Sequence, residues 1–178
     1  CQRRMKEQDL EDEEALQGWF NTRIENYLST KGRQIIGWDE ILEGGLSPNA
    51  TVQSWRGFEG ALEAAEDGHD AIVSPTSHAY FDYPVSSIDV PKVYSFNPIP
   101  EDLSPSLAHH ILGGECNLWS ERIPDIETLD RRFLPRAIAM AEVLWSNPKE
   151  RNYEAFWNRL QGQYILLDVL GYRYDVEE

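Results

Sequence analysis

The sequence predicts an α/β fold with four parallel strands, arranged like half of an eight-stranded barrel. Three observations predict it. First, four short apolar runs pass into an aromatic residue with a polar neighbour: Gln34-Ile35-Ile36-Gly37-Trp38-Asp39-Glu40, Ala50-Thr51-Val52-Gln53-Ser54-Trp55-Arg56-Gly57, Ala71-Ile72-Val73-Ser74-Pro75 continuing to Tyr80, and Ile111-Leu112-Gly113-Gly114-Glu115-Cys116-Asn117-Leu118-Trp119. Strands covered on both faces read as such runs rather than as strict alternation. Second, helix-period stripes that stop at glycine flank these runs. Third, every strand-to-strand connection except the first is long enough for the crossover that parallel pairing needs. Four strands do not close a barrel, for which eight is the usual number.

Taken in order, Leu10 to Thr30 is predicted helical, with Leu16, Trp19, Phe20, Ile24, Tyr27 and Leu28 on one stripe and Glu11-Asp12-Glu13-Glu14 at the start, where negative charge suits the helix dipole. Lys31-Gly32 ends it and the first strand follows at Ile35-Ile36. Ile41 to Asn49 is too short for a full helix, so a loop leads to the second strand. Phe58 to Asp67 reads as a short helix carrying Leu62 and Ala65 and stopping at Gly68 before the third strand. Pro84, Pro91, Pro98, Pro100 and Pro105 make a helix improbable between Pro84 and Leu107, and a long surface connection is expected there. The fourth strand-like segment runs from Ile111 to Glu121. One helix is expected from Leu129 to Trp145, with Phe133, Ile138, Ala141, Val143 and Leu144 apolar, and a last one from Tyr153 to Leu170 with Gly171 as its stop. Trp19, Trp145 and Trp157 fall on helix stripes and are read as core.

A chain of 178 residues, 41% hydrophobic and 26% charged, is long enough for a core, and residues 1–178 are read as one domain. A net charge of -15 argues against a nucleic-acid partner, because phosphate binding relies on Lys and Arg. No apolar run approaches the roughly 20 residues of a membrane span, so no membrane partner is expected. Cys1 and Cys116 are the only cysteines, so there is no disulfide framework, and Cys116 is read as a small buried hydrophobe. No basic segment followed by an apolar one opens the sequence, so any export signal lies upstream or is absent. His109-His110 would point to opposite sides of a strand and no His-Glu-x-x-His spacing exists, so neither a metal nor a cofactor is expected. Glu115, placed inside the last strand, needs a partner, and Arg56 is the candidate. Asn49-Ala50-Thr51 is a glycosylation sequon by pattern alone.

Strand ends that present Trp38, Trp55, Tyr80 and Trp119 beside carboxylates have the composition of a carbohydrate site: aromatic faces stack on the apolar side of a sugar ring and carboxylates accept its hydroxyl protons. Five segments also carry a family likeness. Ile36-Gly37-Trp38-Asp39-Glu40-Ile41-Leu42, Val52-Gln53-Ser54-Trp55-Arg56-Gly57, Tyr80-Phe81-Asp82-Tyr83, Gly113-Gly114-Glu115-Cys116-Asn117-Leu118-Trp119-Ser120-Glu121 and Ala141-Glu142-Val143-Leu144-Trp145-Ser146 lie in the order of that family, with Cys1 to Glu7 also matching. Together they resemble the C-terminal half of the catalytic domain of family 20 glycoside hydrolases, the β-N-acetylhexosaminidases.

The resemblance implies a (β/α)8 TIM barrel of which this chain supplies strands five to eight and the terminal helices. It implies hydrolysis of terminal non-reducing N-acetyl-D-hexosamine residues, with the substrate's acetamido group as nucleophile and retention of configuration. Carried over by position, Trp38, Trp55 and Trp119 resemble the aromatic walls around the acetamide and sugar. Tyr80, the one catalytic residue expected here, resembles the hydroxyl that donates to the acetamide carbonyl, while Asp82 and Glu121 resemble acceptors for the outer hydroxyls. The family's catalytic Asp-Glu pair follows two glycines; Asp39-Glu40 follows Gly37-Trp38 and matches a different motif, so the chain alone is expected to be inactive. The implied partners are N-acetylhexosamine-terminated glycans and either the N-terminal half barrel or a second copy of this chain. The rival readings are a non-catalytic sugar-binding module and a self-associating half barrel. An exported, periplasmic or lysosomal setting rests on the resemblance only.

Overall fold

The computed structural model describes residues 1–175 and shows an α/β fold with a parallel sheet. The chain divides into two compact units, Cys1–Val73 with Ile99–Gly113, and Ser74–Pro98 with the chain from Gly114 onward.

The first unit holds the sheet. Helices α1 (Gln2–Gln8) and α2 (Glu13–Ser29) precede strands β1 (Ile36–Trp38) and β2 (Thr51–Ser54); helix α3 (Glu59–Glu66) leads to β3 (Ala71–Val73), and β4 starts at Ile111. The spatial order is β1-β2-β3-β4. β1 pairs with β2 in parallel, with Ile36 opposite Thr51, and β2 with β3, with Val52 opposite Ala71. All four residues of β2 are buried, as its apolar run requires, whereas β1 and β4 are the edges of the sheet among the described residues. Ala61, Ala64 and Ala65 of α3 have no exposed surface, and their small side chains bring the helix backbone close to β2 and β3.

Helix α2, expected from Leu10, begins at Glu13, because Asp12 caps it by accepting from the N–H of Ala15, and its apolar stripe is not core. Phe20, Ile24 and Tyr27 are exposed, and the residues α2 buries are Gly18 and Glu25. The contact is backbone on backbone: a Cβ at Gly18 would sit 1.9 Å from the carbonyl oxygen of Gly44. Glu25 is satisfied by the N–H of Asn49, 3.1 Å away. His109 and His110 lie in a 3₁₀ segment, Pro105–His110, rather than on a strand, so their rings do not diverge but lie 4.1 Å apart between centroids.

The second unit corrects three expectations. Helix α4 (Val90–Tyr94) occupies the proline-rich stretch, because Asp89 caps it and Pro91 falls in its first turn, where a missing N–H leaves nothing unpaired. It is core rather than surface: Val90, Val93 and Phe96 have no exposed surface. The helix expected from Leu129 to Trp145 is two, α5 (Ile126–Phe133) and α6 (Arg136–Trp145), since Pro135 cannot continue the ladder. Trp145 is 92% exposed instead of core: it lies two residues past Val143 and five past Met140, on the far side of α6 from those buried residues. Helix α7 (Tyr153–Leu170) keeps its predicted bounds, capped by Asn152 and ended by Gly171 in the left-handed conformation. It buries Phe156, Leu160, Tyr164 and Leu167, and the Tyr94 ring stacks on Phe156 at 4.8 Å. Glu142 of α6 ties this core together, accepting from Tyr94 Oη at 2.9 Å and from Arg159 at 2.6 Å.

Candidate functional site

In the first unit the site residues stand at the C-terminal ends of β1 and β2. Trp38 ends β1 and is 37% exposed, although an indole is a large apolar surface to leave open. The chain then turns through a 3₁₀ segment, Asp39–Leu42. Asp39 is 2% exposed and fully used: Oδ2 accepts from the backbone N–H groups of Trp55 at 3.0 Å and Arg56 at 3.2 Å, and Oδ1 from Arg56 Nε at 2.6 Å. Glu40 Oε2 accepts from the indole N–H of Trp55 at 3.0 Å. Burial works against the charge on Glu40, but the Trp55 hydrogen bond and the Arg56 charge outweigh it and hold its pKa below the usual carboxylate value. That is the wrong direction for a general acid at neutral pH. Arg56 also pairs with Glu43 at 2.8 Å, so its guanidinium is taken up by Asp39 and Glu43 rather than by Glu115.

In the second unit the loops after β3 and β4 run side by side. Tyr80 and Asn117 form a parallel bridge, with Phe81 N–H on the Asn117 carbonyl and Asn117 N–H on that of Ala79, both at 2.7 Å. Tyr80 is 6% exposed and packs 5.8 Å from the Tyr83 ring. Asp82 is 4% exposed, and its Oδ1 has no hydrogen-bond partner among the described residues; the same holds for Oδ1 of Asn117. Buried acceptors are ordinarily paired, which marks these two oxygens as candidates for contact with a ligand or water. Arg132 donates to the Asp82 carbonyl, and Arg136, fully buried, donates to the carbonyls of Phe81 at 2.5 Å and Ile88 at 3.0 Å.

The strand-like segment ending in Trp119 is shorter than expected. β4 stops at Gly114, and Trp119, 42% exposed, lies beyond it, just before a 3₁₀ turn, Ser120–Arg122, that carries the exposed Glu121. Glu115 is therefore exposed rather than inside a strand, 3.5 Å from the Asn117 amide nitrogen. Cys116 is half-buried, and burial together with the Glu115 carboxylate pushes its thiol pKa up.

The catalytic-domain model of glycosyl hydrolase family 20 matches residues 1–148. The chain belongs to this family. It is 37% identical over 188 residues to a beta-hexosaminidase of Porphyromonas gingivalis, an alignment covering 99% of this chain and 24% of that protein. A beta-N-acetylhexosaminidase of Cellulomonas fimi is 29% identical over 158 residues, covering 80% of this chain and 32% of its own length. Among solved structures, a family 20 exo beta-N-acetylglucosaminidase from Vibrio harveyi, in complex with N-acetylglucosamine, superposes with a TM-score of 0.88 at 29% identity, over 99% of this chain and 30% of that one. The Flavobacterium johnsoniae chitobiase gives 0.80 at 31% identity, over 96% and 26%. The chain thus spans about a quarter of the length of the Porphyromonas relative.

Within this family 20 chain, sequence reasoning missed Asp39, Asn117 and Arg136. Arg136 had left a signal: it falls in line with Met140 and Val143 on an otherwise apolar helix face, where an arginine must find buried acceptors.

Proposed function

We propose that this chain is the C-terminal half of the catalytic domain of a β-N-acetylhexosaminidase, residues 1–178 supplying strands five to eight of a (β/α)8 barrel whose other strands come from outside these residues. The enzyme removes terminal non-reducing N-acetyl-D-hexosamine residues from glycans, the acetamido group attacking its own anomeric carbon with overall retention. Trp38, Trp55 and Trp119 wall the acetamide and sugar ring, Tyr80 donates its hydroxyl to the acetamide carbonyl as charge builds there, and Asp82 and Glu121 accept the outer hydroxyls. The observation that carries this reading is Asp82: a buried carboxylate oxygen with no donor among the described residues, near a buried tyrosine in the chain, suits a neutral ligand rich in hydroxyl groups. Neither Gly44-Gly45 nor Gly113-Gly114 is followed by Asp-Glu, so the general acid lies outside these residues. That absence also favours the second reading, a non-catalytic sugar-binding module.

The full-length protein is expected to release p-nitrophenol from the N-acetyl-β-glucosaminide with retention and to leave the β-glucoside, which lacks the acetamido group, uncut. Residues 1–178 alone are expected to release none. Equal cleavage of both glycosides would overturn substrate assistance. Glycan binding without cleavage by the full-length protein would leave only the binding module.

A further inference from the structure

Resting on the reading that Trp55 walls the sugar, we propose that Glu40 and Asp39 are positioning residues for Trp55. Glu40 sets the plane of the indole and Asp39 sets the backbone from which it projects. An aromatic wall accelerates a substrate-assisted reaction only if it holds the acetamide at the attack angle, so its plane must be set before substrate arrives. Trp55 is held from both ends. At its backbone, both carboxylate oxygens of Asp39 are engaged, one by the N–H groups of Trp55 and Arg56 and the other by Arg56 Nε. At the far end of the ring, the indole N–H donates to Glu40 Oε2, and Glu40 is itself anchored because its carbonyl accepts from Gln17 Nε2 of α2 at 2.8 Å. The clamp is also confined from outside. Gly60 of α3 lies so close that a Cβ there would stand 2.8 Å from the Cβ of Asp39.

A carboxylate that only satisfied a half-buried indole N–H would matter for folding and not for rate. The two roles separate by rescue and by non-additivity. In the full-length protein, Glu40→Leu keeps the bulk and removes the acceptor. It is expected to lower kcat on the aryl N-acetyl-β-glucosaminide by about ten- to a hundredfold with KM moving less than about threefold, because the loss falls on the oriented transition state. Glu40→Gln keeps an acceptor oxygen and should restore most of that rate. In a Trp55→Phe background no N–H remains to be held, so Glu40→Leu should add less than about a twofold further loss. The indole emission shift caused by Glu40→Leu should likewise vanish there.

An active protein in which Glu40→Leu costs the same factor in both backgrounds, or in which Glu40→Gln is as slow as Glu40→Leu, overturns the positioning role alone. A wild-type protein that cleaves no N-acetylhexosaminide overturns the functional reading and this inference with it. In that case the emission comparison still reports whether Glu40 holds the indole.

Discussion

Trp55 is fixed at its backbone N–H by Asp39 and at its indole N–H by Glu40, whereas Asp82 accepts from Arg132 through its backbone carbonyl and has a carboxylate oxygen with no partner among the described residues. On the function proposed above, Tyr80 contacts the substrate. It is buried, on a segment whose Phe81 and Asp82 carbonyls accept from Arg136 and Arg132. Tyr80→Phe in the full-length enzyme is expected to lower kcat by about tenfold to a thousandfold while KM moves little, as loss of a single oxyanion-type donor does. A rise in KM alone would make Tyr80 a binding contact only. His78, two residues earlier, reports on the same loop. Half-buried against Phe96 at 5.8 Å, it has its pKa lowered to about 4 by burial and by the Lys92 charge. The folded state therefore binds this proton less readily than the unfolded chain. The stability contributed by neutral His78 is fully present above the unfolded value of 6.5 and is lost as pH falls from there toward about 4. By about pH 5.5, where most carboxylates are still ionised, the loss is about 1 kcal/mol. Denaturant titrations at neutral pH and about pH 5.5 should show that drop in the wild type and a smaller one in His78→Gln. An equal drop in both would assign it to other groups.

At the scale of elements, what the sequence made legible was what carries strong punctuation. The buried runs of β2 and β3 and the glycine stops of α3 and α7 are local signals, and they placed those elements to within one or two residues. The misses are cases where a second residue overrides the first signal. Asp89 turns a proline-rich stretch into a helix start, and Pro135 divides what its apolar spacing presents as one helix. Of the four aromatics expected at strand ends, Trp38 and Trp55 stand there, while Tyr80 and Trp119 lie in the segments beyond β3 and β4; the acceptors of Arg136 were not readable, because they are carbonyls some fifty residues earlier. α2 shows the limit of periodicity most clearly, since its packed side is Gly18 and not the apolar stripe. Replacing Gly18 by Ala should favour the isolated helix by about 1 kcal/mol, yet the added Cβ would meet the Gly44 oxygen at 1.9 Å. The clash is expected to dominate, with a net destabilisation of about 2 kcal/mol or more. A thermal melt shifted upward by Gly18→Ala would mean that the Gly44 loop yields easily.

At the scale of the whole chain, two opposing features decide how it behaves in solution. Among the described residues the sheet ends at β1 and β4, with Ile36 54% and Leu112 58% exposed, and Phe20 and Tyr27 of α2 are exposed at 56% and 61%. Edge strands with open backbone groups and exposed apolar side chains favour association with another chain. Against this stands a net charge of -15, which makes copies of the chain repel one another. Salt weakens the repulsion without weakening the apolar term: the screening length falls from about 10 Å at 0.1 M to about 3 Å at 1 M. Residues 1–178 alone are therefore expected to self-associate with rising concentration, and to do so more strongly as salt is raised. Sedimentation velocity across both variables checks this. Adding the N-terminal half of the catalytic domain should replace the self-associated species with a complex that melts at higher temperature, because its strands would cover β1 and β4. A single monomeric species at every concentration and salt, with a sharp cooperative melt unchanged on mixing, would show that these edges need no cover. Association that weakens with salt would point instead to charge pairing between copies.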